Sequence, residues 1–325
     1  MDVAQACRPV GSSFENQKFC QDAEAPIIMA ARKGDFRQVY SLYQKGQYPR
    51  DAILIGVCVE MDDNADVNPY VEAFFKSLGK ATTPKSGLVI PVPMDSTAYH
   101  LPCGNALRGY VLRDLEGLDG VVIPGNNFNL PALRADLSPS DAVGLYTGKP
   151  HLGADMSIYD ESSAGFYASH RDHRLNPDPR SLNYEAELIR VMEHSDRPLM
   201  ASCHGTQLYA VMHGAHLVAD IKGHNDGRPH PVHIDKGSMA WFYAGGIDDV
   251  APHNHRLAIK EASLPSYLHA VGKSDDVVEI LENQYHKNHY LYQSHPELVA
   301  HHVALKAFVS DAACYHGRDL VVVPG

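Results

Sequence analysis

Cys203 lies in Ala201-Ser-Cys-His-Gly205, between the short apolar run Pro198-Leu-Met-Ala-Ser202 and the helical pattern Gly205-Thr-Gln-Leu-Tyr-Ala-Val-Met212. Small residues two places before and after a nucleophile let a chain turn sharply from strand to helix and hold the side chain exposed. A sulfur at a helix N-terminus is also favoured as thiolate, because unpaired N–H groups and the helix dipole point at it. The N–H of His204 is then well placed to stabilise an oxyanion. Taken alone, the segment fits a buried, inert cysteine at a strand end as well.

A second segment shifts that balance. His295-Pro-Glu297 follows the apolar-aromatic run Tyr290-Leu-Tyr-Gln-Ser294, expected to be another strand. A histidine at the carboxyl end of such a strand reaches a cysteine elbow at the same sheet edge. A carboxylate two residues on can bond its other ring nitrogen, fixing tautomer and orientation. Nucleophile, base and orienter together are what acyl transfer requires.

The elements around these residues alternate. Ala52-Ile-Leu-Ile-Gly-Val-Cys-Val59 is a continuous apolar run, as in a buried parallel strand. A helix over 67–78, a strand over 87–92, a helix over 105–115 and a strand over 120–123 follow. Residues 132–178 are rich in Ser, Asp, Gly, Pro and Tyr without period, and read as an insertion over one face. Residues 179–194 are helical, with Tyr184, Ala186, Leu188, Ile189 and Met192 on the apolar side. This rhythm predicts an α/β domain, a mostly parallel sheet with helices on both faces and ligands at the carboxyl strand ends.

Residues 51–325 are assigned to this domain and residues 1–50 to a polar tail (1–22) and a helical hairpin. In the hairpin, two short apolar-periodic runs flank Gly34. Its Pro start, Ala-Ala pair, Gly turn and closing Gly resemble a single ankyrin repeat. A lone unit of that kind must pack on the main domain or on a protein partner.

The ordered motifs from about 51 to 315 resemble the class I glutamine amidotransferases, nearest the free-standing γ-glutamyl hydrolase-like branch. Asp119-Gly-Val-Val-Ile-Pro-Gly125 is similar to the strand and glycine loop of that family. Asp178-Pro-Arg180 with Glu185, Leu188 and Ile189 is similar to the helix before the elbow. Ser202-Cys-His-Gly-Thr-Gln-Leu208, His230-Pro-Val-His-Ile234, Ser274-Asp-Asp-Val-Val-Glu279 and Gln293-Ser-His-Pro-Glu297 complete the set.

The resemblance implies a flavodoxin-like fold and a cofactor-free thiol hydrolase. Cys203 would attack a γ-glutamyl amide, His295 would protonate the departing amine, and water would cleave the thioester. Gly125 and His204 would supply oxyanion N–H groups, with Asn126 an alternative to Gly125. Asn126, Gln207, His255 and Arg256 are the candidate substrate contacts. The expected substrate is glutamine or a small γ-glutamyl conjugate. Alternatives are a glutaminase subunit serving another chain (no GxxxxGK[ST] motif or fused synthase is visible), a deamidase of protein glutamine, and a binding protein that kept the fold.

Departures from the family pattern concern the pocket more than the chemistry. Ser202 stands where an apolar residue is usual, Gly214-Ala215 replaces Gly-Gly, the oxyanion loop reads Pro-Gly-Asn-Asn-Phe, and Pro252-His-Asn-His-Arg256 replaces a His-His-Gln-like segment.

Composition sets the remaining bounds. The chain has 325 residues, 44% apolar and 21% charged, with a net charge of −11. That charge disfavours nucleic acid and anionic membranes as partners. No apolar stretch approaches a membrane span, and the polar, acidic start lacks a signal-peptide pattern, so a cytoplasmic location is expected. The six cysteines show no CxxC, which favours one reactive thiol over a disulfide framework. Among the 20 histidines, His253-x-His255 and the His213/His216 pair could ligate a metal. No recognised zinc spacing occurs, so solvated or hydrogen-bonded histidines and no metal are expected.

Overall fold

The computed structural model describes residues 22–61, 68–82, 87–101, 104–126, 179–219, 221–300 and 302–319. The 132–178 insertion and almost all of the N-terminal tail lie outside these residues. Helices α1 (Pro26–Lys33) and α2 (Phe36–Gln44) precede β1 (Ile53–Val59), α3 (Pro69–Ala81), β2 (Val89–Asp95), α4 (Asn105–Asp114) and β3 (Gly120–Ile123). Then come α5 (Pro179–Met192), β4 (Leu199–Ser202), α6 (His204–Met212), β5 (Leu217–Ala219), β6 (Asn225–Ile234), α7 (Met239–Tyr243), β7 (Asp249–Asn254) and β8 (Leu257–Ile259). Strands β9 (Leu268–Ser274), β10 (Val277–Asn283) and β11 (His286–Tyr292) lead into α8 (Val303–Asp319).

Among the described residues, one sheet of nine strands runs in the order β2-β1-β3-β4-β11-β10-β9-β6-β7. The first five are parallel: β1 pairs with β2 and β3, β3 with β4, and β4 with β11. Every residue of β1, β3 and β4 is buried, as continuous apolar runs covered on both faces require. The remaining strands join by antiparallel pairing, β11 to β10, β10 to β9, β9 to β6 and β6 to β7. The fold is thus mixed α/β with a mostly parallel centre, as the alternating pattern predicts. The register that matters functionally is Tyr292 opposite Ser202 and Ile123 opposite Ala201. It brings the ends of β3, β4 and β11 to one edge.

Helix starts are encoded locally. Asn68 caps α3 by accepting the Tyr70 N–H, followed by Pro69 in the first turn. Asp35 accepts the Gln38 N–H at the start of α2, and Gly34 closes α1 in the left-handed conformation at φ 81°. The N-terminal helices do form a hairpin, and it shares the core of the α/β layer: Ile27, Ile28 and Val39 are fully buried, in one cluster with Phe74, Phe75 and Leu78. Each such side chain contributes about 1.5–3 kcal/mol by leaving water. The approach is close at Gly79, where a Cβ would stand 2.8 Å from the Arg32 nitrogen. The apolar face of the hairpin is therefore covered by the chain itself.

Helix α5 departs from a one-sided amphipathic reading, since residues 181–189 are all buried. Its polar side chains are partnered inside: Glu187 accepts from Arg108 at 2.8 Å and Arg190 at 3.3 Å, and Ser181 shares a 2.8 Å hydrogen bond with Ser96. Among the described residues, no helix is long and apolar enough to cross a membrane.

Candidate active site

The turn from β4 into α6 places Cys203 at φ 46°, ψ −103°. A non-glycine residue there carries about 1–3 kcal/mol of strain, so its surroundings must hold it. The Cys203 N–H donates to the Tyr292 carbonyl at 2.8 Å, and its own carbonyl accepts the Gln207 N–H at 3.0 Å. The Thr206 hydroxyl bridges the carbonyls of Ala201 and Tyr292 at 3.0 and 2.8 Å. The need for a small residue two places on is steric: a Cβ on Gly205 would meet the Ile123 carbonyl oxygen at 2.5 Å. The elbow thus leaves Cys203 at the helix N-terminus, with the His204 N–H in the first turn and without an intrahelical partner.

His295 follows β11 by three residues and is anchored by its own N–H, which donates to the Pro252 carbonyl at 3.0 Å. A 3₁₀ turn over Pro296–Leu298 folds Glu297 back on the ring. His295 Nδ1 donates to Glu297 Oε1 at 2.7 Å, and both side chains are fully buried. This fixes the tautomer and leaves Nε2, which has no hydrogen bond among the described residues, for Cys203. Tyr70 stacks on the imidazole with ring centres 4.1 Å apart and planes 13° from parallel, and its hydroxyl accepts from Asn254 Nδ2. Burial alone would lower the pKa of His295. The charge of Glu297, and then that of Cys203, outweigh it, and the pKa is pushed up to about 10. The imidazole is therefore protonated at neutral pH and able to give up a proton at Nε2.

The loop after β3 corrects one expectation. The Gly125 N–H donates to the Ser202 hydroxyl at 3.0 Å, inside the protein, so it is not free to meet an oxyanion. Asn68 Nδ2 holds the Gly125 carbonyl at 2.9 Å. The next N–H, that of half-buried Asn126, becomes the donor candidate from this loop. Gly125 serves by its missing side chain: a Cβ would stand 2.6 Å from His295 Cε1 and 3.3 Å from Cys203 Cβ. Replacing Gly125 with alanine is expected to displace the imidazole and lower any turnover that uses Cys203 and His295 about a hundredfold in kcat, with the fold retained by circular dichroism. A kcat within a factor of two of wild type would show that the loop yields.

Ser202, the departure beneath the elbow, has a defined place. Besides accepting from Gly125, its hydroxyl donates to Glu297 Oε1 at 3.5 Å. One side chain thus links the oxyanion loop to the carboxylate that orients His295, which an apolar residue could not do.

The remaining sequence candidates are placed differently from expectation. The His204 side chain turns away to Glu185 Oε2, at 3.0 Å, leaving only its backbone N–H for the site. Gln207 is buried, with Nε2 donating to the Leu257 carbonyl at 3.1 Å and to Gln293 Oε1 at 3.2 Å; its amide braces α6 against β8 and does not offer these hydrogens to a substrate. His255 is also buried, between the Leu257 carbonyl at 2.8 Å and Glu279 Oε1 at 3.2 Å, so it too is withdrawn from substrate. Arg256 is exposed on the turn from β7 to β8. Of the two histidine pairs, His213 is held by Glu193 at 2.6 Å and Tyr267 at 3.1 Å while His216 is exposed. His253 and His255, in contrast, meet His224 and Glu279 in one buried cluster.

Tyr70 and the linking role of Ser202 escaped sequence reasoning. Tyr70 carries no signal in the helix pattern, and Ser202 stood out only by departing from the family.

Residues 176–308 match the family model of the class-I glutamine amidotransferases. The carbamoyl phosphate synthase small chain of Pseudomonas putida is 31% identical over 123 residues, which are 37% of this chain and 30% of that protein. The same protein of Escherichia coli is 30% identical over 122 residues, 37% of this chain and 29% of its own length. The chain thus spans about a third of the length of the curated relatives it matches. In fold it is similar to the glutaminase domain of Trypanosoma brucei CTPS with bound acivicin, with a TM-score of 0.53 at 13% identity, covering 81% of this chain and 94% of that one. Residues 176–308 are thus similar in sequence to the class-I glutamine amidotransferases, and the α/β fold with its mostly parallel central sheet is consistent with theirs. The expected nearness to the γ-glutamyl hydrolase-like branch is corrected: the relatives found are carbamoyl phosphate synthase small chains.

Proposed function

We propose that this chain hydrolyses the side-chain amide of glutamine and supplies the ammonia to a separate synthase chain. The observation that carries the reading is the strained Cys203 at a helix N-terminus beside an imidazole held by Glu297 at 2.7 Å. The similarity to the small chain of a synthase, one chain of an assembly, supports glutamine as substrate and a protein as partner over a free-standing hydrolase of γ-glutamyl conjugates.

In this mechanism the Cys203 sulfur bonds to the amide carbon of glutamine, and the carbonyl oxygen takes up negative charge facing the N–H groups of His204 and Asn126. The C–N bond breaks as His295 Nε2 gives its proton to the nitrogen, releasing ammonia. A water molecule then loses a proton to His295 and attacks the thioester, giving glutamate and the free thiol site. Glu297 holds the Nδ1 proton and the ring's orientation throughout. Tyr70, packed flat on the ring, keeps the imidazole in the plane this exchange needs.

The test compares glutamate release from L-glutamine with release from γ-glutamyl peptides and γ-glutamyl polyamines, using the purified chain. Turnover of glutamine with little turnover of the conjugates is the expected result, together with a glutamyl thioester on Cys203 in acid-quenched mass spectra. Preferential cleavage of the conjugates would overturn the amidotransferase reading in favour of the free-standing hydrolase.

A further inference from the structure

Outside the candidate active site, His224, His253, His255 and Glu279 bring three imidazoles and a carboxylate together with one ligand atom from each within 4.8 Å of the others. All four residues are buried, and the side chains of His253 and Glu279 are fully so. They come from the residue before β6, the end of β7, the turn after it, and β10. We propose that these four side chains bind a single zinc ion that ties the β6–β7 hairpin to β10. This inference is independent of the reaction assigned to Cys203.

The distances suit such an ion. His224 Nδ1 and His253 Nδ1 are 3.0 Å apart, and Glu279 Oε1 lies 3.1, 3.0 and 3.2 Å from His224, His253 and His255. Zinc at its usual 2.0–2.2 Å from nitrogen and oxygen sets tetrahedral ligand atoms about 3.4 Å apart. These four contacts need only widen by a few tenths of an ångström to admit it, while His255 Nε2, within 4.8 Å of the two other imidazole nitrogens, adjusts to the same spacing. Imidazole donors select zinc and its transition-metal neighbours over magnesium or calcium, and four protein ligands in a dry setting make a closed, structural site.

Hydrogen positions point the same way. His255 Nδ1 faces the Leu257 carbonyl at 2.8 Å, which can only accept, so in the neutral ring the Nε2 lone pair is directed at Glu279 Oε1. His224 and His253 present their Nδ1 atoms to each other and to that same oxygen, and a proton there satisfies one contact at a time. Glu279 Oε2 and His253 Nε2 have no hydrogen-bond partner among the described residues. A cation at the centre accepts all four lone pairs at once, and the Leu257 carbonyl then becomes the outer partner that orients a ligating histidine. Such an ion also bears on the active site through the backbone, since the Glu279 carbonyl accepts the Gln293 N–H at 2.7 Å and Pro252, beside His253, holds the His295 N–H.

The test uses the full chain, stripped with a chelator, reloaded with zinc, dialysed and analysed for metal. Wild type and His216→Ala, altered at an exposed histidine, are expected to retain one equivalent, while His253→Gln and Glu279→Gln bind zinc at least about tenfold more weakly. Cobalt loaded into wild type should show the visible bands of a tetrahedral site, a readout that needs no variant to fold. Retention of zinc by folded His253→Gln and Glu279→Gln as strong as by wild type would overturn the proposal. So would wild-type protein that loses its zinc on dialysis or shows no tetrahedral cobalt spectrum.

Discussion

Cys203→Ala is expected to lower glutamine hydrolysis by about ten-thousandfold or more, with KM for glutamine little changed. Among the described residues the other cysteines lie elsewhere, Cys58 buried in β1 and Cys314 in α8. Without the thiol no acyl-enzyme forms, and the N–H groups of His204 and Asn126 are left to stabilise only direct attack by water. The substitution also removes little packing, because alanine accepts the same buried position. Its backbone still has to sit at φ 46°, so the strain of the elbow remains and stability should change by less than about 2 kcal/mol. Steady-state assay of glutamate, paired with thermal unfolding, checks both statements. Residual turnover within tenfold of wild type would remove Cys203 from the mechanism.

The second large effect is expected from His295→Ala, again near ten-thousandfold in kcat, because the same ring gives the proton in the first half-reaction and takes one from water in the second. Glu297→Ala should cost less, about a hundredfold, since it removes orientation and charge support while the imidazole remains. The pH profile separates the two roles. His295 has a folded pKa of about 10 against 6.5 in the unfolded chain, so its charged form adds stability that is complete below pH 6.5 and is lost as pH rises through about 10. The rate of acylation should fall along the same limb, as the proton for the departing ammonia is lost. In Glu297→Ala burial acts without its main opponent, and the limb should move down towards neutral pH. An alkaline limb that stays near 10 in that variant would show that Glu297 is not what holds the proton.

Much of this architecture is written locally. The buried runs of β1, β3 and β4, the Asn68-Pro69 start of α3 and the small residues around Cys203 each encode their own geometry within a few positions. A strand that must be covered on both faces, a cap and a sharp elbow all leave marks in nearest neighbours. The pairing of His295 with Glu297 is equally short-range, since a 3₁₀ turn over Pro296 suffices to fold the carboxylate back on the ring. The α/β class and the closeness of Glu297 to the His295 ring were therefore legible from residue types and spacing, and the roles of nucleophile, base and orienter are proposed on the same segments.

What the chain order does not show is which distant groups share a register. Gly125 reads as an oxyanion donor until Ser202, on the adjacent strand, takes its N–H. Gln207 and His255 read as substrate contacts until Gln293 and Glu279, brought alongside through β11 and β10, engage them. Tyr70 reaches His295 because α3 packs on the turn that carries Glu297, with Ser77 donating to the Glu297 carbonyl, and His224, His253, His255 and Glu279 converge from the ends of β6 and β7 and from β10. These contacts join residues far apart in sequence, and no local propensity specifies them. The sequence by itself determined the α/β class and the local geometry around Cys203 and around His295 with Glu297. Only the packing of the tertiary structure decided that Ser202 takes the Gly125 N–H and which histidines are gathered around one buried carboxylate.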